Sequence, residues 1–373
     1  MKLVELTIRN FRNVARLDCE MPPEGAVIIG GNGQGKTNLL EAIYSLVLFR
    51  SLRGAKDREL VRFGEAGFFV GGWADGWTAG WPGVSTDSIE GPNRRVTVGY
   101  DATTRRKKVT IDGTEVPKLS EAVGQILAVQ FSPADGGIVS GGPGARRRYL
   151  DVLLSVSQRG YLGRLSAMRL ALKQRNAALR RGRPDEAQAF DQPFAAAGTA
   201  VATARRCWVE RWSDRFVELT AELGEPEAAA MRYQGHGPGG DGSEGWVELL
   251  AGALERDTRR GITSVGPHRD DLKLMLGGRE VRTFGSAGQQ RTAAIALRLL
   301  EAETLMAARQ TAPVALYDDV FAELDGTRQE RLLRLIREVL PGQAIVVAPR
   351  EAEVPAALFD RPRWQITGGV LER

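Results

Sequence analysis

The chain has 373 residues, which is enough for two domains or for one domain with a large insertion. Its 43% hydrophobic and 26% charged residues are ordinary for a soluble globular protein. No run of about 18 apolar residues predicts a membrane span. Because Met1-Lys2 leads directly into a strand-like alternation, a signal peptide is not expected. The expected location is the cytoplasm.

The charge and the cysteines indicate the cellular compartment and the kind of binding partner. Cys19 and Cys207 match no metal-binding spacing, so free thiols in a reducing compartment are expected. The net charge of +5 favours a polyanionic partner. A basic cluster alone is typical of a solvated surface, but several together on one chain make DNA the leading candidate partner. The clusters are Arg105-Arg106-Lys107-Lys108, Arg146-Arg147-Arg148, Arg180-Arg181-Gly182-Arg183 and Arg205-Arg206.

The first elements form a strand, a glycine-rich loop and a helix. Val4, Leu6 and Ile8 alternate with polar residues and predict a half-buried strand. A second strand ends in Ala26-Val27-Ile28-Ile29, and the segment after the loop carries an apolar face typical of a helix. Between them lies the pattern GxxxxGK[ST], which in this context predicts a P-loop that binds a nucleoside triphosphate. Its residues are Gly30, Gly31, Asn32, Gly33, Gln34, Gly35, Lys36 and Thr37, followed by Asn38.

Each residue type in this loop has a physical role. Glycines let successive backbone N–H groups converge on an anion, and the helix that follows presents its positive end to the same anion. Lys36 is expected to meet the β- and γ-phosphates of ATP, and the Thr37 hydroxyl to ligate Mg²⁺.

The next part of the chain is β-rich. Phe68 to Val116 contains several strand patterns, with Asp112-Gly113 as a hairpin turn. Trp73, Trp77 and Trp81 favour packing in a sheet or loop over a platform for stacked bases, and both alternatives stay open. Leu127 to Phe131 predicts another strand.

A helical segment follows. One helix is predicted from about Arg146 to Arg181 and another from about Glu186 to Leu223, so that together they form an antiparallel arm. Gly235 to Gly245 has the composition of a flexible linker. We expect a head domain of residues 1–130 and 261–373, interrupted by an inserted helical domain of residues 131–260.

Two further motifs lie in the last third of the chain. Ser286, Ala287, Gly288 and Gln289 precede a long predicted helix, where a serine and a glycine can cap the helix and bind an anion. Pro313 to Tyr317 predicts a buried strand that ends in Asp318 and Asp319. Asp318 is expected to hold Mg²⁺ and Asp319 to orient or deprotonate the attacking water.

The order of these motifs, with Ala322-Glu323-Leu324-Asp325 last, resembles that of ABC-type ATPases. Several stretches resemble, more narrowly, the RecF recombination-mediator family, which is related to the heads of structural-maintenance-of-chromosomes proteins. The stretches are Ile8 to Asn13, the P-loop to Ile43, Gly142-Pro143 with Arg147 to Asp151, Gln174 to Asn176, Gly266 to Leu272, Ser286 to Gln289 and Asp318 to Asp325.

This resemblance implies a fold, a set of site residues and an activity. The implied fold is an α/β ABC-type head with mixed sheets and a short inserted helical arm. Ser286 to Gln289 would serve ATP bound to a second subunit, so that two chains dimerise around two ATPs, and Asp325 would lie in the D-loop. Asp319, Asp318 and Lys36 would act in ATP hydrolysis. By analogy, Arg12 contacts nucleotide, Arg53 lies near the γ-phosphate and Gln130 is a weaker candidate metal ligand.

The resemblance also implies a role in DNA repair and replication. Such proteins bind duplex DNA near single-strand gaps or junctions and help RecR and RecO to load RecA. The candidate DNA contacts are Arg105, Arg106, Lys107, Lys108, Arg146, Arg147, Arg180 and Arg181.

Two departures from the wider superfamily qualify this prediction. Asp319 replaces the usual glutamate, so we expect slow hydrolysis with ATP acting as a dimerising ligand. Val347 to Arg350 contains no switch histidine. The alternatives are a nucleotide-gated protein scaffold and an ATPase subunit of another machine of this superfamily.

Overall fold

The computed structural model describes residues 1–76, 94–237, 242–321, 326–358 and 360–373. Contacts between Cα atoms divide the chain into two compact units, Met1–Asp135 with Leu297–Arg373, and Gly136–Ala296. The predicted domain boundaries at 130/131 and 260/261 stay predictions. In the described ranges, no helix is both long and apolar enough to cross a membrane.

Strands and helices occur in groups along the chain. The strands are β1 Lys2–Phe11, β2 Val14–Glu20, β3 Gly25–Ile29, β4 Gly67–Asp75, β5 Arg94–Asp101, β6 Arg106–Ile111, β7 Thr114–Glu115, β8 Ala128–Phe131, β9 Ala229–Gln234, β10 Asp271–Leu276, β11 Arg279–Glu280, β12 Val314–Asp318, β13 Ala344–Ala348, β14 Arg363–Thr367 and β15 Val370–Glu372. The helices are α1 Lys36–Leu48, α2 Asp57–Leu60, α3 Leu119–Ala122, α4 Gly136–Ser140, α5 Pro143–Ser157, α6 Tyr161–Arg180, α7 Pro184–Gln188, α8 Asp191–Glu222, α9 Glu244–Arg260, α10 Val281–Phe284, α11 Ala287–Arg309 and α12 Gly326–Val339.

The first unit contains an antiparallel sheet with the order β2-β1-β4-β5-β6-β7. The alternation predicted for β1 is present, but the register shifts between Leu3 and Glu5, so Leu3 is buried and Val4 is only half-buried. Asp112 and Gly113 both have positive φ, as a two-residue hairpin turn with the twist of its strands requires. The predicted hairpin is confirmed.

The same unit contains a second sheet with the order β15-β14-β3-β13-β12-β8. β14, β3, β13, β12 and β8 run parallel, and β15 is antiparallel to β14. The carboxyl ends of β3 and β12 therefore lie at one edge of the sheet, separated by β13. This edge positions the P-loop and the two aspartates beside each other.

The second unit contains the predicted antiparallel arm, but its helices are interrupted. The segment predicted as one helix from Arg146 to Arg181 forms α5 and α6, because Gly160 adopts φ +79° between them. The second predicted helix is divided into the short α7 and the long α8. A small sheet, β11-β10-β9, completes the unit.

Candidate ATP site and basic surfaces

The P-loop directly follows β3, an interior strand of the parallel sheet. β3 lies between β13 and β14, and α1 begins directly after the loop. Gly33 and Gly35 have φ values of +80° and +111°, in the region that favours glycine. A Cβ atom at Gly30 would lie 2.5 Å from the carbonyl oxygen of Ile366. The loop therefore has the backbone conformation and close packing that its glycines predict.

Lys36 contacts the loop itself, and Thr37 connects the loop to the end of β12. Lys36 is buried and its Nζ donates to the carbonyl oxygens of Gly30 and Gly31, at 2.7 and 3.1 Å. The Thr37 hydroxyl donates to Asp318 Oδ1 at 3.1 Å. Thr37 and Asp318 thus present an all-oxygen donor pair of the kind that Mg²⁺ prefers. These residues fit a metal–nucleotide complex, in which Mg²⁺ would neutralise phosphate charge.

The two aspartates differ in environment. Burial raises the pKa of Asp318 to about 6, although its hydrogen bond from Thr37 opposes the shift. Asp319 adopts φ +52°, a left-handed conformation that aspartate tolerates better than most residues. Its Oδ1 is buried and has no hydrogen-bond partner among the described residues, and burial also raises its pKa. An unpaired buried carboxylate oxygen can accept a proton from a bound water.

A buried carboxylate on α1 holds the arginines beside the loop. Arg12 Nε donates to Glu41 Oε2 at 3.0 Å, and Arg53 Nη1 lies 4.0 Å from the same oxygen. Ser51 donates to Glu41 Oε1 at 2.5 Å. Glu41 therefore pairs with both arginines that the resemblance associates with nucleotide, and no local sequence pattern points to it.

A second group of residues fixes the loop from outside. Asn13 Nδ2 donates to the carbonyl oxygen of Gln34 at 3.1 Å, and Asn13 Oδ1 accepts from Asn38 Nδ2 at 2.9 Å. The backbone N–H groups of Gly368 and Gly369 donate to the side-chain and backbone oxygens of Gln34, at 2.6 and 2.8 Å. Asn13 belongs to the stretch Ile8 to Asn13, which resembles the RecF family. No sequence motif pointed to Gly368 or Gly369.

Gln130 lies on β8, the edge strand next to β12. It is buried and pairs in register with Leu316, two residues before Asp318. Paired residues of parallel strands face the same side, so Gln130 faces the side of Leu316 and Asp318. Its assignment as a metal ligand stays a prediction.

The segment that contains Ser286 lies in the second unit and caps α11. Gln289 N–H donates to Ser286 Oγ at 3.2 Å, and Ser286 N–H donates to Gln289 Oε1 at 3.0 Å. This reciprocal pair is a capping box. Ser286 and Ala287 are exposed, and Gly288 is half-exposed. The predicted D-loop residue Asp325 lies outside the described residues, as do Trp77 and Trp81.

The basic clusters divide into exposed and buried members. Arg105, Arg106, Lys108, Arg180 and Arg181 are exposed, which is the condition for a DNA contact. Lys107 is different because its Nζ pairs with Asp57 and donates to the carbonyl oxygen of Phe49 at 2.7 Å.

Arg146 is not available to DNA. Its side chain is 2% exposed and makes two hydrogen bonds to the Asp271 carboxylate, at 2.8 and 2.9 Å. The predicted DNA contact of Arg146 is wrong, because a buried guanidinium paired with a carboxylate cannot meet a phosphate backbone. Arg147 is half-buried and donates to the carbonyl oxygen of Asp270 at 2.6 Å.

The string from Gly266 to Leu272 is a packing centre of the second unit. Gly266 has φ +136°, and a Cβ there would lie 2.5 Å from the Phe194 ring. The Pro267 carbonyl oxygen accepts from Arg205 at 2.8 Å. Buried Asp270 accepts from Tyr233 and from the His236 N–H. These contacts give a structural account of a string whose role was not apparent from sequence.

The comparison with known proteins agrees with this geometry. A family model described as the RecF/RecN/SMC N terminal domain matches residues 2–361. A protein of Anaeromyxobacter sp. (strain Fw109-5) named DNA replication and repair protein RecF is 38% identical, with 100% of this chain and 99% of that protein covered. The chain belongs to the RecF family. A relative of the same name from Moorella thermoacetica is 34% identical, with 99% of this chain and 96% of that protein covered.

Solved structures give the fold. One described as the recombination mediator protein RecF-ATPrS in the RecFOR pathway has a TM-score of 0.87 and 30% identity, and covers 100% of this chain and 97% of its own. An Smc head domain bound to part of ScpA has a TM-score of 0.55 at 15% identity, with 100% of this chain and 97% of that chain covered, and so supports the fold alone. The predicted ABC-type, SMC-head-like fold of the RecF family is confirmed.

Proposed function

We propose that the chain is an ATP-dependent DNA-binding clamp and recombination mediator in DNA repair and replication restart. Two copies dimerise around two ATPs and bind duplex DNA near single-strand gaps. With RecR and RecO they help to load RecA, and slow hydrolysis of ATP to ADP and phosphate releases the clamp.

The ATP half of the proposal is supported by the edge of the parallel sheet. Lys36, Thr37, Asp318 and Asp319 stand together there in the order that phosphate binding, metal binding and water activation require. Solved relatives are described as RecF-ATP and RecF-ATPrS. The aspartate at position 319 is one methylene shorter than glutamate, so its carboxylate has less reach toward a water and hydrolysis is slow.

The observation that carries the dimer is the exposed cap of α11. Ser286 and Ala287 present themselves to solvent at the N-terminus of a 23-residue helix, where N–H groups and the helix dipole favour an anion. In the proposed dimer this end faces the γ-phosphate of ATP bound to the partner subunit. ATP then bridges two copies and acts as the ligand that closes the clamp.

The DNA half rests on exposed cations and on the relatives. Arg105, Arg106, Lys108, Arg180 and Arg181 present positive charge to solvent, and such charge supplies most sequence-independent affinity for DNA. The relatives are named DNA replication and repair protein RecF, and one solved relative is described as a recombination mediator in the RecFOR pathway. RecR and RecO are accordingly the proposed protein partners.

The dimer is tested by static light scattering with and without MgATP. Ser286→Arg should remove ATP-driven dimers and leave ATP affinity nearly unchanged, because it alters only the end that serves the partner subunit. Lys36→Met should lose the ATP response altogether. Ser120→Arg, an exposed serine on α3, is the matched control and should dimerise normally. Normal ATP-driven dimers in Ser286→Arg would contradict the proposed role of the α11 cap.

The coupling to DNA is tested by ATP turnover against protein concentration, with and without duplex DNA. Turnover per monomer that rises with concentration and rises again with DNA supports a shared site coupled to DNA. A turnover above about 10 s⁻¹, the usual enzyme median, would contradict slow hydrolysis. Turnover per monomer that changes neither with protein concentration nor with DNA would favour the protein scaffold. DNA affinity that falls steeply with salt would count against that scaffold.

A further inference from the structure

The antiparallel sheet of the first unit has one face that is not part of the core. Phe68, Val70, Val96, Val98 and Val109 point to the core and are buried. The alternate residues of β4, β5 and β6 point the other way, and a cavity of about 290 Å³ lies among them. The cavity is lined by Phe69, Arg95, Thr97, Gly99, Lys108, Thr110 and Gly113.

Two glycines leave the Phe69 ring accessible. Gly71 is its same-face neighbour along β4, and Gly99 lies directly opposite it on β5. A Cβ at Gly71 would lie 3.1 Å from the ring, and one at Gly99 would lie 3.9 Å from it. Since neither position carries a side chain, Gly71 and Gly99 do not cover the ring, and Phe69 is half-buried.

The remaining lining supplies positive charge and hydroxyl groups. Arg95 and Lys108 are both exposed, and the Thr97 and Thr110 hydroxyls lie 2.6 Å apart in the floor. Among the described residues that line the cavity there is no carboxylate. The acids nearby include Asp112, whose Oδ1 accepts from the Arg95 N–H at 2.9 Å, and Glu115, which lies 3.7 Å from Lys108 and 3.0 Å from Arg106. The lining is therefore suited to an anion that also carries a flat apolar group.

The second aromatic ring on this face is Trp73, four residues along β4 from Phe69 and 38% exposed. Arg95 lies opposite Trp73 on β5, whereas exposed Glu5 lies opposite it on β1. The carboxylate makes the Trp73 end less suited to a phosphate. Phe69 lines the same cavity as both cations, Arg95 and Lys108, and is the better stacking position.

We propose that this face binds single-stranded nucleic acid, with one base stacked on Phe69 and the adjoining phosphates held by Arg95 and Lys108. Aromatic rings beside cations on an open sheet are suited to single strands, since every base has a π-face. A duplex keeps its bases stacked on one another, so it cannot offer one to Phe69. The inference rests on the proposed function only in that DNA is the partner, and it supplies a contact for the single-stranded side of a gap.

The test measures fluorescence anisotropy of a labelled oligothymidylate of about 20 nucleotides, longer than one such site. Phe69→Leu keeps the apolar volume but removes the π-face, and should weaken binding about tenfold. Phe69→Tyr keeps the ring and should bind as the unmodified protein does. Arg95→Gln and Lys108→Gln should each weaken binding and reduce its salt dependence. Arg16→Gln, an exposed arginine on β2 of the same sheet, is the charge-matched control.

A blunt duplex of equal length is measured in parallel, together with ATP-driven dimerisation. We expect Phe69→Leu to leave both unchanged, which also shows that the variant is folded. Equal loss of single-strand and duplex binding would overturn the proposal, as would single-strand binding by Phe69→Leu at full strength. In either case, an unmodified protein that forms ATP-driven dimers and binds the duplex would still support the proposed function. Failure of the unmodified protein to bind either DNA would overturn both.

Discussion

The Thr37 hydroxyl and the Asp318 carboxylate form a hydrogen bond of 3.1 Å although 281 positions separate them in the chain. Thr37 stands in the first turn of α1 and Asp318 at the end of β12. The parallel order β3-β13-β12 brings the two to one edge of the sheet. The contact therefore joins the phosphate-binding loop to the residue that, in our proposal, holds the metal.

Asp318→Asn tests the role of this carboxylate. It removes the negative charge that we expect to ligate Mg²⁺ but keeps the side-chain size. Because a bound metal supplies several kcal/mol of charge stabilisation, ATP turnover should fall by about 100-fold or more, and added Mg²⁺ should no longer increase ATP affinity. Thr37→Ser keeps a hydroxyl and should retain the Mg²⁺ response. An undiminished response to Mg²⁺ in Asp318→Asn would contradict the assignment.

Asp319→Asn tests the role of the neighbouring residue. Asparagine also tolerates the left-handed backbone that Asp319 adopts at φ +52°, so the fold should be unaffected. Loss of a general base typically lowers a rate by about 100-fold or more. Single-turnover hydrolysis should slow accordingly, while ATP affinity and ATP-driven dimerisation remain. Hydrolysis at the original rate would mean that another group activates the water.

His268→Gln tests a pH dependence built into the second unit. Burial lowers the pKa of His268 from 6.5 to about 4. Its Nδ1 is buried with no hydrogen-bond partner in the described residues, and its Nε2 lies 3.0 Å from the Thr263 carbonyl oxygen. Above pH 6.5 the imidazole is neutral in both folded and unfolded chains. As the pH falls from 6.5 toward 4, only the unfolded chain gains the proton, so stability is lost.

The loss should reach about 3 kcal/mol in the free energy of unfolding. Urea unfolding at about pH 7.5 and about pH 5 should show a smaller pH effect in His268→Gln than in the unmodified protein. Other titrating groups contribute to both proteins, so the difference between them isolates His268. Identical pH effects would show that this imidazole is not held neutral.

Arg146→Gln tests the buried ion pair with Asp271. Removing one partner leaves the other charge buried and uncompensated, which typically costs about 3–5 kcal/mol. Urea unfolding should show that loss, and replacement of both partners by apolar residues (Arg146→Met with Asp271→Leu) should recover much of it. A negligible effect of Arg146→Gln would mean that the pair is not closed in solution.

The control for this experiment is Arg180→Gln, at an exposed arginine near the end of α6. Its unfolding free energy should change by less than about 0.5 kcal/mol, as is usual for surface positions. If Arg180 contacts a phosphate, as we propose, the slope of log affinity for duplex DNA against log salt should decrease by about 1. The two variants thus separate an arginine of the core from one offered to DNA.

Local patterns predicted the ATP site because its parts are short and continuous. The glycine positions of the loop, the apolar face of α1 and the acidic end of β12 are each set within about a dozen residues, and a parallel sheet brings such strand ends together. Glu41 was not predicted as the residue that holds Arg12 and Arg53. A glutamate inside an amphipathic helix is usually solvated, and only tertiary packing buries it.

The arm and the last strands were harder to predict from sequence for related reasons. The apolar spacing continues through Gly160, so periodicity alone did not reveal the break between α5 and α6. β14 buries only Trp364 and Ile366, too few positions to establish an alternation. Arg146 looked like a member of a basic run, and its burial depends on Asp271, which is 125 residues distant.

The position of β3 in its sheet has a consequence for synthesis on the ribosome. Both of its neighbours, β13 and β14, come from the last part of the chain, although β3 itself is made early. The backbone N–H groups that fix Gln34 belong to Gly368 and Gly369. A nascent chain that has not yet reached these residues has a complete P-loop sequence but no sheet to shape it. Nucleotide therefore cannot assist folding until translation has passed Gly369, and a product terminated before that point carries the motif without the site.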